Sequence, residues 1–257
     1  TDAARLAGAL VAGGIALAPE AGAATTVLTV SASADTYTNA SSTTRNYGTA
    51  TSMSTRSSPG AVAFLRFTLP TFPAGMSLTG ATLRVRTTSD SAAASSATQT
   101  LRTTTDTWTE NGLTWSTMPA LTGTVLGTLS GTRSRSTQYT ATLGTTALAS
   151  LSGRTLSLAM QSSSTDILWI GSRTASTTAA RPLLSLTFTT TADTTAPTAP
   201  GTPTATVSGS NVTVGWQAST DNVGVTAYDV HRSTTTGFTP SATTLVATTA
   251  STARSWT

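Results

Sequence analysis

The 257-residue sequence predicts an all-β protein, an antiparallel β-sandwich or jelly roll followed by an incomplete immunoglobulin-like sandwich. Three observations lead there. Thr is the commonest residue and Glu occurs only at Glu20 and Glu110; Thr suits the pleated surface of a strand, whereas Glu favours helices. Across residues 27–188 short segments of alternating apolar and polar residues are separated by Gly, Pro, Asn and Ser, which is period-two patterning with turn chemistry between the strands. A stretch rich in Pro, Thr and Ala at 192–200 then divides this region from a second set of strand-like segments, and a chain of this length accommodates two modest domains.

At the start of the chain Arg5 precedes an apolar run at 6–17, and the small residues Ala21, Gly22, Ala23 and Ala24 follow. This is the layout of a secretory signal peptide with an A-x-A cleavage site, so residues 1–24 are expected to be removed and the mature protein to be secreted and extracellular. The run is too short and too rich in Gly to span a membrane. Ten strands are then expected, at 27–30, 52–56, 63–69, 80–87, 98–103, 125–129, 138–143, 155–161, 167–170 and 183–188. Strands of that number with turns between them describe a two-sheet sandwich. Leu148 and Leu151, three apart, mark a helical turn or two at 145–152. The first domain is thus expected at 25–190, a semi-rigid linker carrying Pro197 and Pro200 at 191–200, and a second, partial domain at 201–257 with strands at 205–207, 212–216, 227–232 and 245–248.

Composition removes several function classes. All 14 basic residues are Arg, and against ten acids they leave a net charge of +4, too small an excess to point to nucleic acid. Arg does grip carboxylate, sulfate or phosphate through two parallel N–H groups, so an acidic ligand stays open. Cys is absent, which removes disulfides and thiolate metal sites. The single histidine, His231, stands beside Arg232 on an alternating segment and reads as a surface residue, not a catalyst. Asp106 and Glu110 are the close acidic pair of the first domain. Four residues of extended strand separate them by about 13 Å, beyond the carboxylate spacing of glycoside hydrolysis. Hydrogen bonding, Ca²⁺ or loop capping suits them better than catalysis. Nucleotide-loop, H-E-x-x-H and redox Cys motifs are all missing, so neither a cofactor nor enzymatic activity is expected.

The segment richest in aromatics is Asp106-Thr-Trp108-Thr-Glu110-Asn-Gly-Leu113-Thr-Trp115-Ser-Thr-Met-Pro119. Its two indoles either plug the mouth of the sandwich or line a ligand surface, and burial suits Trp better. This segment resembles the W-x-E-x-G-x-T-W-x-x-x-P signature of the secreted DNRLRE domains. Asp35-Thr-Tyr37, Asn46-Tyr47-Gly48, Met53-Ser-Thr-Arg56 and Phe64-Leu-Arg66-Phe67 resemble that family's opening blocks in order, and Trp169-Ile-Gly-Ser-Arg173 with Arg181-Pro-Leu-Leu184 resembles its close. Ala175 stands where the family often has an acid. The resemblance implies a β-sandwich grouped as carbohydrate-binding module family ninety-six, associated with acidic polysaccharides such as alginate and carried by enzymes it does not catalyse for. Past the linker, Trp216 after alternating Val212 and Val214, then Asp221-Asn222 and Tyr228-Asp-Val230-His231-Arg232, resemble a bacterial fibronectin type III domain up to about its fifth strand.

Strand alternation assigns side chains to faces. Arg66 opposes Leu65 and Phe67, Arg84 and Arg86 oppose Leu83 and Val85, and Arg56 opposes Met53 and Thr55. If those strands are sheet neighbours, Arg56, Arg66, Arg84 and Arg86 form one basic platform for uronate carboxylates; otherwise they are a solvated face or partners for Asp35, Asp90 and Asp106. Tyr37, Tyr47, Tyr139 and Trp169 are candidates for stacking on sugar rings. The expected function is a non-catalytic module, monomeric, that tethers covalently linked downstream domains to a polysaccharide. The alternative is a structural spacer or adhesive stalk that binds no sugar.

Overall fold

The computed structural model describes residues 24–190, 193, 195–235 and 237–257. The expected signal peptide falls on residues outside those described, apart from Ala24. One compact unit comprises Thr25–Thr190. Its strands, in chain order, are β1 (Thr25–Ser31), β2 (Ala34–Asn39), β3 (Ser52–Thr55), β4 (Ala61–Thr68), β5 (Met76–Arg86), β6 (Gln99–Thr103), β7 (Val125–Leu129), β8 (Gln138–Leu143), β9 (Thr155–Ser162), β10 (Leu168–Gly171) and β11 (Leu183–Thr190). They build an antiparallel sandwich of a four-stranded sheet, β1-β11-β5-β8, and a five-stranded sheet, β2-β4-β9-β6-β7; β10 and β3 form a two-stranded ribbon.

Alternation explains the core between the sheets. Leu83 and Val85 of β5, with Leu184, Leu186 and Phe188 of β11, project from one sheet toward Ala63, Leu65 and Phe67 of β4 and Leu156, Leu158 and Met160 of β9 on the other. All are buried, and a large apolar side chain fully removed from water contributes about 1.5–3 kcal/mol. The chain passes from one sheet to the other between β1 and β2, where the Ser33 amide donates to the Arg66 carbonyl at 2.7 Å. On the opposite side Gly144 donates to the Leu126 carbonyl at 2.7 Å, joining the end of β8 to β7.

The expected strands are present, and β2 is added to them. Its residues are buried on both sides, so Ala34, Thr36 and Thr38 alternate with Asp35 and Tyr37 without any contrast in polarity for a period-two reading to detect. The turn expected at 145–152 is a short 3-10 helix, Ala149–Leu151.

β4 is also buried on both sides. Its outward residues Val62 and Phe64 lie under a second apolar cluster formed with Ala34, Ala159, Trp108 and Leu113. The segment between β6 and β7 therefore covers the outer face of the five-stranded sheet. Trp108 meets Phe64 with ring centroids 5.9 Å apart, and Trp115 lies against Gly60, where any side chain would run into its ring. The two indoles cover a sheet face, and neither plugs a mouth of the sandwich.

Among the residues from 195 onward, β12 (Thr204–Ser208), β13 (Asn211–Gly215) and β16 (Ser255–Trp256) form one small sheet and β14 (Ala227–His231) pairs with β15 (Leu245–Ala250). Val214, Trp216, Tyr228 and Val230 make their core. His231 is buried here, contrary to its reading as a surface residue, with its Nδ1 3.1 Å from the Thr244 hydroxyl. Its burial follows from β14, where Tyr228, Val230 and His231 are all inside.

Candidate carbohydrate-binding site

The four predicted arginines do not share a face. β4 and β5 belong to different sheets, and since Leu65 and Leu83 both point into the core, Arg66 and Arg84 point out of opposite sides of the sandwich. That overturns the single platform, because the condition on which it rested, neighbouring strands, is not met. Arg66 instead clamps the covering segment: its guanidinium lies 4.2 Å from the Trp108 ring centroid and donates to the carbonyl oxygens of Asp106, at 2.7 Å, and of Trp108. Arg102, on the same outer face, donates to the Leu121 carbonyl at 2.8 Å. Arg56 stands at the turn between β3 and β4, where its backbone bridges Ala61.

Arg84 and Arg86 have a different setting. They project from the outer face of the four-stranded sheet, Arg84 between Leu183 of β11 and Thr140 of β8, and Arg86 beside Gln138. The row next to them is Thr29, Ser185, Thr82 and Thr142, one hydroxyl from each strand, spanning about 14 Å at the usual strand spacing. None of the four strands contains an acid. Neither guanidinium has a hydrogen bond or ion pair among the described residues, and the Arg84 Nε is covered yet unpartnered. The Nη groups of the two guanidiniums, also without an acceptor among the described residues, are the donors left to an incoming anion.

β10 extends this face. Thr87 of the β5 end bridges Ile170, both buried, and the Thr88 amide donates to the Trp169 carbonyl at 3.1 Å. Strand parity then places Trp169 opposite Thr88 and on the same side as Arg86. Trp169 belongs to an aromatic cluster in which Tyr37 stacks on Tyr47 at 4.2 Å and meets Trp169 edge-on at 5.8 Å. Arg45 lies over the Tyr47 ring at 5.1 Å. Burial first, then the neighbouring Tyr47, pushes the Tyr37 hydroxyl up to about 12. Tyr47 and Trp169 keep part of their surface in solvent while Tyr37 is buried; Tyr47 is stacked on Tyr37 and covered by Arg45, which leaves Trp169 as the ring of the three to meet a ligand. Tyr139 is engaged otherwise: it packs on the core and accepts a 2.6 Å bond from the Ser134 amide through its hydroxyl.

A polar knot holds the loops that carry this cluster. Arg173 pairs with Glu110 through Nε and Nη2, both at 2.5 Å. The Arg173 amide donates to Asp35 Oδ2 at 2.6 Å, and the Asp35 amide donates to Glu110 Oε1 at 3.0 Å. Asn46 donates to the carbonyls of Glu110 and Leu113, each at 2.8 Å, and accepts from the Gly48 amide at 2.9 Å. A methyl group at Gly48 would run into the Glu110 carbonyl, so only Gly allows this approach. Asp35 is 1 % exposed. Burial pushes its carboxyl up to about 7, helped by the nearby Glu110 charge and opposed by the Arg173 amide. Burial also raises Glu110, but the bonds from Arg173 and the Asp35 amide outweigh it and hold Glu110 below the usual carboxylate value. Glu110 thus bonds to Arg173 and to the Asp35 amide, both distant in sequence, in keeping with the hydrogen-bonding role expected of it. Among the described residues no cluster of three or more His, Asp or Glu could hold a metal.

A two-sheet sandwich whose outer face combines unpaired guanidiniums, hydroxyls and a partly exposed indole defines a class of binding module. The profile of carbohydrate-binding module family 96 matches residues 26–188, and the chain belongs to that family. This region is therefore a non-catalytic carbohydrate-binding module. No curated protein matches the chain.

Proposed function

We propose that the module binds an acidic, uronate-type polysaccharide on the outer face of the four-stranded sheet, with Arg84 and Arg86 pairing to carboxylates and Trp169 stacking on a sugar ring. The observation that carries this reading is the pair of arginines without partners on a face without acids, next to the bridge that joins β10, the strand of Trp169, to the end of β5. Planar guanidiniums two residues apart stand about 7 Å from each other along the strand, which suits successive charged sugars of an extended chain. Tyr37 contributes by backing Trp169, whereas Arg66 is spent on the fold; Arg56, at the turn between β3 and β4, stands apart from Arg84 and Arg86. In the full protein the module acts as a secreted, extracellular targeting unit for a linked enzyme or surface protein, with the fibronectin-like strands as part of the connection.

Affinity-gel retardation of the full chain on alginate and pectin, beside neutral xylan, chitin and cellulose, tests this. Retention by the acidic polymers that weakens with salt is expected, because exposed charge pairs are screened. Retention unchanged in the Arg84→Ala/Arg86→Ala double variant would overturn the site. Retention by none of the polymers would favour the spacer.

A further inference from the structure

The knot of Asp35, Glu110 and Arg173 has a second property. It ties three segments distant in the chain: the start of β2, the covering segment between β6 and β7, and the turn after β10. Each leads into the aromatic cluster. Asp35 is two residues before Tyr37; Glu110 holds Asn46, next to Tyr47; Arg173 is four residues after Trp169. The ionisable groups facing Asp35 are Glu110 from the covering segment and Arg173 from the turn after β10. β4, its pairing strand, brings Leu65 opposite and turns Arg66 to the other face.

When Asp35 is neutral, the Glu110 carboxylate keeps both Arg173 and the Asp35 amide. When Asp35 ionises, a second carboxylate, itself buried, is confined beside Glu110 with the one guanidinium to share. Like charges in that setting repel, and the bond most easily given up is the one from the Asp35 amide to Glu110.

We propose that these three residues form a proton-sensitive latch that positions the Tyr37, Tyr47 and Trp169 rings, closed when Asp35 holds its proton and loosened when Asp35 loses it. For the glycan consequence the inference rests on the binding role proposed above; the latch itself does not.

The direct test is near-ultraviolet circular dichroism of the full chain across pH 4 to 9. The wild type is expected to show an aromatic transition centred near pH 7. Asp35→Asn, which keeps an acceptor for the Arg173 amide without the charge, is expected to hold the low-pH spectrum throughout. Thermal melts follow the same sign. A carboxyl raised from 3.8 to about 7 in the folded state contributes stability that is complete below about pH 4 and lost as pH rises through 7. The variant should therefore melt with the wild type at pH 4 and above it at pH 8. Carbon-13 chemical shifts of the wild-type aspartates give the same answer should the variant fail to fold. Identical spectra of wild type and variant at every pH, or an Asp35 shift that titrates below pH 5, would overturn the latch. A transition near 7 without any change in polysaccharide retention would keep the latch and remove its link to binding.

Discussion

The two outer faces of the sandwich differ in what they do with arginine. On the five-stranded sheet, Arg66 and Arg102 donate to backbone carbonyls of a covering segment that carries Trp108 and Trp115. That face is an extension of the core. On the four-stranded sheet, Arg84 and Arg86 stand in a field of Thr and Ser with no acceptor among the described residues. The sequence pattern around the two sets is nearly the same, an arginine between apolar neighbours on a strand. The lesson is that a cation's availability is decided by what closes over the sheet, and that is a long-range property.

Substitutions can break this contrast. The largest effect belongs to Trp108→Ala, which uncovers Phe64 and Val62 and should cost about 3–5 kcal/mol in urea unfolding. Gly48→Ala should cost about 2 kcal/mol, because the methyl must push the Glu110 carbonyl off its Asn46 partner. Arg66→Ala should destabilise by a similar or slightly smaller amount, about 1.5–2 kcal/mol, for the lost carbonyl bonds and ring contact. Arg66→Lys should recover less than half of that, since an ammonium reproduces neither the fork nor the stack. At the small end, Arg84→Ala/Arg86→Ala should change stability by less than about 0.5 kcal/mol while abolishing acidic-polysaccharide retention. A double variant that unfolds as readily as Arg66→Ala would erase the distinction between the faces.

Much of the sandwich was legible because β4, β5 and β11 alternate strictly, and alternation reports which side chains share a face. It does not report which sheet a strand joins, so Arg66 and Arg84 looked like neighbours. β2 was missed as a strand because both its sides are buried. The residues of the knot all lie in the motifs that resemble the family, but their mutual contacts are not legible in sequence: Asp35 and Arg173 are 138 residues apart, Glu110 and Arg173 63. Asp106 is the acid nearest Glu110 in sequence, whereas the acid beside it in space is Asp35. Arg102 carried no signal beyond its alternation with Leu101, and its role depends on where the covering segment runs.

The register of β1 on β11 has a mechanical consequence. Thr25 lies opposite Thr189, so the polypeptide enters and leaves the module side by side. A pull on the two ends opens the β1–β11 pair like a zipper, one rung after another, and never loads the seven register pairs in shear together.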